Sequence, residues 1–255
     1  MDSCVMDKIK ISVVSYLNSK PFLYGLDHYK FQTEIDLALD IPSVCAQKLI
    51  ERKVDIGLVP VAIIPKLGEH FIVSDYCIGS VGKVDSVMLY SNVPLNEIET
   101  ILLDYQSRTS VALVKVLANY FWKINPNWIA AKANFENDIV GKTAALIIGD
   151  RTFGLENKYV YAYDLSEEWQ KFTQLPFVFA CWVANKKLPD NFINEFNEAL
   201  KLGIDNRPAL IKELNKNNVY NTDIAVYLNE KIQYTFDAPK KKAMNLFLDY
   251  IAKLD

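Results

Sequence analysis

Apolar residues along this chain fall into two alternating rhythms. Short runs such as IKISVVSY and VDIGLVPV are rich in β-branched residues and read as buried strands, while EIDLALDIP sets Ile35, Leu37 and Leu39 against polar neighbours. Between the last two lies PSVCAQKLIERK, with Ser43 as an N-cap and Val44, Cys45 and Leu49 on one helical face. Residues 33–61 therefore predict a β-α-β unit, which implies a parallel sheet covered on both faces. IETILLD, PNWIAAKA and KTAALIIGD repeat the strand theme. SRTSVALVKVLANYF carries Leu113, Val114, Leu117, Tyr120 and Phe121 at helical spacing. LPFVFACWVAN is a long apolar and aromatic strand. After it the chain turns helical: Phe192, Ile193, Phe196 and Leu200 share a face ahead of Gly203, and Ala243, Phe247, Tyr250, Ile251 and Leu254 share another.

No repeat, low-complexity tract or Pro/Gly linker interrupts this alternation, so two lobes would be joined by structured crossings. The crossings expected are 84–92 and 176–185. They divide the chain into one lobe of 1–88 plus 185–255 and a second, inserted lobe of 89–184. Composition fits a globular protein of 255 residues, with 51% hydrophobic and 23% charged residues, and is wrong for disorder. A net charge of −3 with intermixed signs removes the basic stripe a nucleic-acid or membrane-surface partner would need. The one dense basic run, Lys240-Lys241-Lys242, reads as the solvated start of a helix. Cys4, Cys45, Cys77 and Cys181 lie far apart; Cys45 and Cys181 read as small buried residues, and a reducing compartment is favoured. The leader MDSCVMDKIK lacks an apolar signal core and no 18-residue apolar stretch exists, so a cytoplasmic protein is expected.

The chemistry begins with what is missing. There is no GxGxxG. GSVGKVDS resembles a phosphate loop only faintly, with Cys77 where glycine and Val84 where Ser or Thr would stand. His28 and His70 are isolated, and no metal-ligand spacing occurs. Three polar clusters remain, each where a strand stops, and the carboxyl ends of strands are where ligands collect in open α/β sheets. The first is Ser15-Tyr16-Leu17-Asn18-Ser19, which would serve equally as a helix cap through Asn18 or Ser19. The second, LDYQSRTS, crowds Ser107, Thr109 and Ser110 into the first turn of a helix, where free N–H groups attract anions, with Arg108 as a forked donor. Its plainer reading is a cap by Ser107 with a surface Arg. The third, IIGDRT, offers Gly149 for close backbone approach, while Asp150 and Arg151 would otherwise pair with each other. Ser86, polar within an apolar strand, needs a partner.

Six stretches in order, VSYLNSKPFLYGL, DIGLVPVAIIPK, SDYCIGSVGKVDSVMLYS, LDYQSRTSVALVKVL, ALIIGDRT and YDLSEEWQKFTQLPFVFACWVA, resemble the chorismate dehydratases of the futalosine route to menaquinone. Two departures stand out: ERKVDIG lacks a glycine, and Gln174 in TQLPF replaces one. The resemblance implies an α/β fold of the type II periplasmic-binding-protein kind, two lobes with a ligand cleft between them. It implies loss of water from chorismate to give 3-[(1-carboxyvinyl)oxy]benzoate, with no cofactor and no metal. Asn18 and Ser86 would then face each other near the reacting carbons as catalytic residues. Ser15, Tyr16, Ser107, Arg108, Thr109, Ser110, Gly149 and Asp150 would bind substrate, one carboxylate sitting at Thr109 and Ser110. Two alternatives share the fold. A 1,4-dihydroxy-6-naphthoate synthase of the same route would show SPCPNDTF and a histidine, and a solute-binding protein would carry a signal peptide.

Overall fold

The computed structural model describes residues 8–217 and 219–254; Cys4 and most of the leader lie outside them. The chain opens with β1 (Ile9–Val14), α1 (Lys20–His28), β2 (Ile35–Asp40), α2 (Pro42–Ile50), β3 (Ile56–Pro60) and β4 (Phe71–Ser80). β1 is the hub: it pairs in parallel with β2 on one side and β3 on the other, so the β-α-β unit straddles it. β3 is apolar and buried at every position, and β1 is buried at all but Lys10, with Ser12 its one buried polar residue. α2 starts differently from expectation. Ile41 holds the N-cap position and Pro42 the first turn, where its fixed φ suits a helix and its missing N–H is no loss. Ser43 instead donates its N–H to the Gln106 carbonyl, and Cys45, Ala46 and Leu49 form the buried face while Val44 is exposed.

After β4 the chain builds a second sheet from β5 (Val87–Ser91), β6 (Thr100–Leu103), β7 (Asn127–Ala130), β8 (Thr143–Ile148) and β9 (Tyr161–Asp164), in the order β7-β6-β8-β5-β9. α3 (Arg108–Val116) follows β6, and α4 (Leu165–Thr173) follows β9. β10 (Phe177–Ala184) then returns to the first sheet, antiparallel between β3 and β4. The stretch 176–185, expected as a crossing within the inserted lobe, is thus a central strand of the first sheet. Its aromatic content serves packing: Trp182 meets Phe22 and Phe196 edge-on. The passages between sheets lie at residues 81–86 and 165–176, and one side chain holds both. The buried Asp164 carboxylate accepts from Val84 and Asp85 N–H at 2.8 and 2.7 Å, and caps α4 through Ser166 and Glu167 at 3.0 and 3.2 Å. Burial raises its pKa to about 6 despite four donors.

The C-terminal part adds α5 (Asp190–Asp205), α6 (Arg207–Asn217), α7 (Ile224–Val226) with a π-helical continuation Tyr227–Lys231, β11 (Gln233–Thr235) and α8 (Ala238–Ile251). Gly203 does not end α5. It lets that helix touch α1, because a Cβ there would fall 1.7 Å from the Pro21 carbonyl oxygen. The basic run is only partly solvated. Lys240 is 3% exposed; its stem lies on Gly79 and its ammonium reaches Asp237, the N-cap of α8, at 3.1 Å. One departure from the resembled family, Gln174, falls at a left-handed turn with φ of 61°, and the stretch lacking the other glycine turns left-handed at Arg52, φ 56°, values that glycine adopts at least cost.

Candidate active site between the two sheets

The polar end of β1 becomes a tight turn because Ser19 folds back. Its hydroxyl donates to the Val14 carbonyl and lies 2.8 Å from that of Tyr16. Ser19 holds the N-cap position of α1 but makes no side-chain cap bond, its hydroxyl being turned back to the preceding turn, and Asn18 lies outside that position. Asn18 is instead fixed through its main chain, whose carbonyl accepts from the Tyr234 hydroxyl at 2.9 Å. Tyr16 reaches across to the second sheet. Its hydroxyl donates to Gln106 Oε1 and its ring lies flat on Gly149, whose φ of +69° turns the backbone aside. Beside it the Asp150 carboxylate accepts the Leu17 N–H at 3.1 and 3.2 Å, and burial raises its pKa to about 6.

From the other side, α3 presents its first turn. Ser107 caps the helix, accepting from Ser110 N–H at 3.2 Å, and the two hydroxyls lie 3.1 Å apart. Tyr16, Asn18, Ser86, Ser107, Ser110 and Gly149 line one cavity of about 50 Å³, closed by apolar residues that include Val14, Pro60 and Phe179. Six of the ten expected site residues therefore converge. The other four stand back from it. Ser15 extends the β1–β2 pairing through its N–H to Asp40. Thr109, fully buried, accepts the Ala62 N–H at 3.2 Å. Arg108 donates to Gln47 Oε1 at 3.0 Å, beside an open groove of about 800 Å³ that runs along α3. Asp150 is engaged with Leu17, and it does not pair with Arg151. That guanidinium binds Asp104, whose side chain is fully buried, and Glu136 at 3.2 Å.

Of the larger depressions, one of about 790 Å³ beside β4 lies away from the convergent strand ends, while the groove along α3 shares Ser107 with the small cavity and reaches the polar end of β6 at Asp104 and Tyr105. The small cavity gathers neutral polar groups from several strand ends. At about 50 Å³ it is far below the roughly 300–1,000 Å³ of a site enclosing a small molecule, so such a ligand requires the sheets to part. The lining groups are neutral hydrogen-bonding side chains at a helix N-terminus, an arrangement that orients an anion without titrating. Tyr16, the lining phenol, is pushed well above its ordinary pKa by burial and by the nearby Asp104 carboxylate. The sequence reading missed Gln106, Tyr227 and Tyr234. Tyr227 donates to Ser86 Oγ at 2.8 Å from a π turn that has no signature in residue order.

A family model described as menaquinone biosynthesis matches residues 9–253. The chain belongs to this family. Its membership of the menaquinone biosynthesis family agrees with a sequence relative, the chorismate dehydratase of Thermus thermophilus, 25% identical over 197 residues that make up 67% of this chain and 72% of that protein. Solved structures show the fold to be that of periplasmic binding proteins. An Archaeoglobus fulgidus protein superimposes with a TM-score of 0.76 at 12% identity, covering 96% of this chain and 97% of that one. The aliphatic sulphonate binding protein of Escherichia coli gives 0.61 at 16% identity, covering 96% and 92%. A Candida albicans protein described as having the generic periplasmic binding protein fold gives 0.62 at 13%, covering 97% and 94%. Among the described residues of this family member, no helix is long and apolar enough to cross a membrane.

Proposed function

We propose that this chain is a chorismate dehydratase, acting in the cytoplasm on the futalosine route to menaquinone and releasing 3-[(1-carboxyvinyl)oxy]benzoate. The observation that carries the reading is the meeting of Asn18, Ser86, Ser107 and Ser110 in one cavity between the sheets. In the reaction the C–H bond at the ether-bearing ring carbon breaks, its electrons form the new ring double bond, and the neighbouring hydroxyl leaves. Proton and hydroxide depart as water and the ring becomes aromatic. Aromatisation supplies the driving force, so the protein has mainly to orient a dianion and stabilise developing negative charge. Ser107 and Ser110, at the positive end of α3, take one carboxylate. Asn18 and Ser86 meet the reacting carbons and the leaving hydroxyl.

The base in this reading is the substrate's own enolpyruvyl carboxylate. Support comes from the lining: its one ionisable side chain, Tyr16, is raised far from neutrality, and Asp150 already holds an N–H group. Substrate enters when the two sheet-based lobes part about the passages that Asp164 ties together. With β10 counted in the first lobe, the inserted lobe is the second sheet with its helices.

The test is incubation of purified protein with chorismate, followed by proton NMR. New benzoate ring signals, matched by loss of the cyclohexadiene signals, support the reading. Folded protein that returns chorismate unchanged sinks it, and saturable binding without turnover identifies a binding protein instead.

A further inference from the structure

Tyr227 lies one layer behind the cavity, beneath the two side chains proposed to meet the reacting carbons. It is 2% exposed, and its hydroxyl donates to Ser86 Oγ at 2.8 Å. The Asn18 side chain lies beside the same phenol. The surroundings hold this ring firmly. Asp223 caps the short α7 through Val226 N–H at 3.0 Å, and the chain then widens into the π turn that starts at Tyr227. The Arg207 guanidinium donates to the Leu228 carbonyl at 2.9 Å, and Phe153 packs edge-on with ring centroids 5.1 Å apart. Single π turns concentrate at functional sites, because they rotate one side chain out of helical register. Shortly after, Tyr234 donates to the Asn18 carbonyl. The C-terminal segment therefore reaches under the cleft twice, once to Ser86 and once to Asn18.

A phenol has one proton to give and lone pairs to receive. Given to Ser86, that proton leaves the phenolic oxygen free to accept from the neighbouring Asn18 amide N–H. Ser86 Oγ, having accepted, presents its own proton elsewhere. Its main-chain carbonyl already accepts from Gly149 N–H at 2.8 Å, and the open direction is the cavity. The result is a one-way chain from Asn18 N–H to Tyr227 O–H to Ser86 O–H, in which each bond polarises the next. We infer that Tyr227 is a positioning residue, whose buried hydroxyl fixes the rotation of the Asn18 amide and turns the Ser86 hydroxyl proton toward the substrate. The inference rests on the proposed dehydration for its kinetic readout, but its geometric half stands apart from any activity.

The experiment uses Tyr227→Phe, which keeps the ring and its Phe153 contact and deletes one oxygen. With chorismate, kcat should fall about 10- to 100-fold while KM stays within about threefold, the pattern of an interaction realised in the transition state. In a nitrogen-15 correlation spectrum the Asn18 side-chain amide, assigned by its disappearance in Asn18→Leu, should shift in Tyr227→Phe. It should also shift in Ser86→Ala, which cuts the chain at its other end and serves should the first variant fail to fold. A merely structural Tyr227 would move melting temperature and leave that resonance in place. Unaltered kcat together with an unmoved Asn18 resonance overturns the inference. If the unmodified protein leaves chorismate untouched, the dehydratase reading falls and the amide resonance alone decides the role of Tyr227.

Discussion

Gly149→Ala probes the site with a single methyl group. The residue sits at φ +69°, where an L-residue costs about 1–2 kcal/mol. Its new Cβ would also lie 2.8–2.9 Å from three atoms of the Tyr16 ring, against about 3.5–4.0 Å for a relaxed carbon contact. The ring must retreat by roughly 1 Å. That retreat breaks the hydrogen bond to Gln106, worth about 0.5–1.5 kcal/mol. It also crowds the neighbouring core, worth about 1–3 kcal/mol. Gly141→Ala supplies the control: its φ is +55°, and among the described residues no atom lies within 4 Å of the added Cβ. Thermal and urea unfolding at neutral pH should show Gly141→Ala losing only the backbone cost. Gly149→Ala should lose about 2–4 kcal/mol more, or roughly 5–15 °C in Tm for a chain of this size. Repeating Gly149→Ala in a Tyr16→Ala background should bring its cost down to the Gly141 value, since the obstructing ring is gone. An equal cost in both backgrounds would show that Tyr16 does not rest on Gly149, and the described wall of the site would be wrong.

The other expectations concern Asn18 and Asp150. Asn18→Leu, close in size, should lower kcat on chorismate by about 100-fold with little change in KM. Asn18→Asp should fold normally yet be nearly inactive, because it sets a negative charge against a dianion; an active, folded Asp variant refutes the role. Asp150 takes its proton near pH 6 in the folded protein, and near 3.9 when unfolded. The folded state therefore binds more protons between those values, and stability falls as pH rises from about 4 to 6. Asp164 adds a second contribution of the same sign. Relative to the parent, Asp150→Asn should gain about 2 kcal/mol on going from pH 4 to pH 7, and parallel Tm–pH curves would contradict the burial argument.

Side chains close to a strand end were legible in residue order; those that act from a distance were not. Asn18, Tyr16 and Gly149 betray themselves because polar or flexible residues interrupt apolar runs where a buried strand must stop. Ser107 and Ser110 do so because three hydroxyls crowd one turn. Thr109 looks the same in that pattern, yet its hydroxyl faces Ala62, since consecutive positions on a helix point in different directions. Lys240 looked solvated because a triple-lysine run reads as surface, while its helix phase turns it against Gly79. β10 read as a crossing because a wholly apolar strand carries no mark of which sheet receives it. Tyr227 and Tyr234 lie more than two hundred residues from Asn18, and only the assembled fold brings them together.

The seat of β10 between β3 and β4 also dictates an order of assembly during synthesis. Residues 87–164 contain every strand of the second sheet and leave the ribosome as one continuous piece, free to fold as soon as they emerge. The first sheet must wait. Until Phe177–Ala184 arrives, β3 and β4 stand with open edges toward each other, rows of unpaired N–H and carbonyl groups flanked by apolar residues. The nascent chain thus carries a finished half and an unfinished half at the same moment, and the unfinished half is the one exposed to aggregation. A chain cut short before Ala184 would leave that gap permanently open, a product for proteases and chaperones to clear.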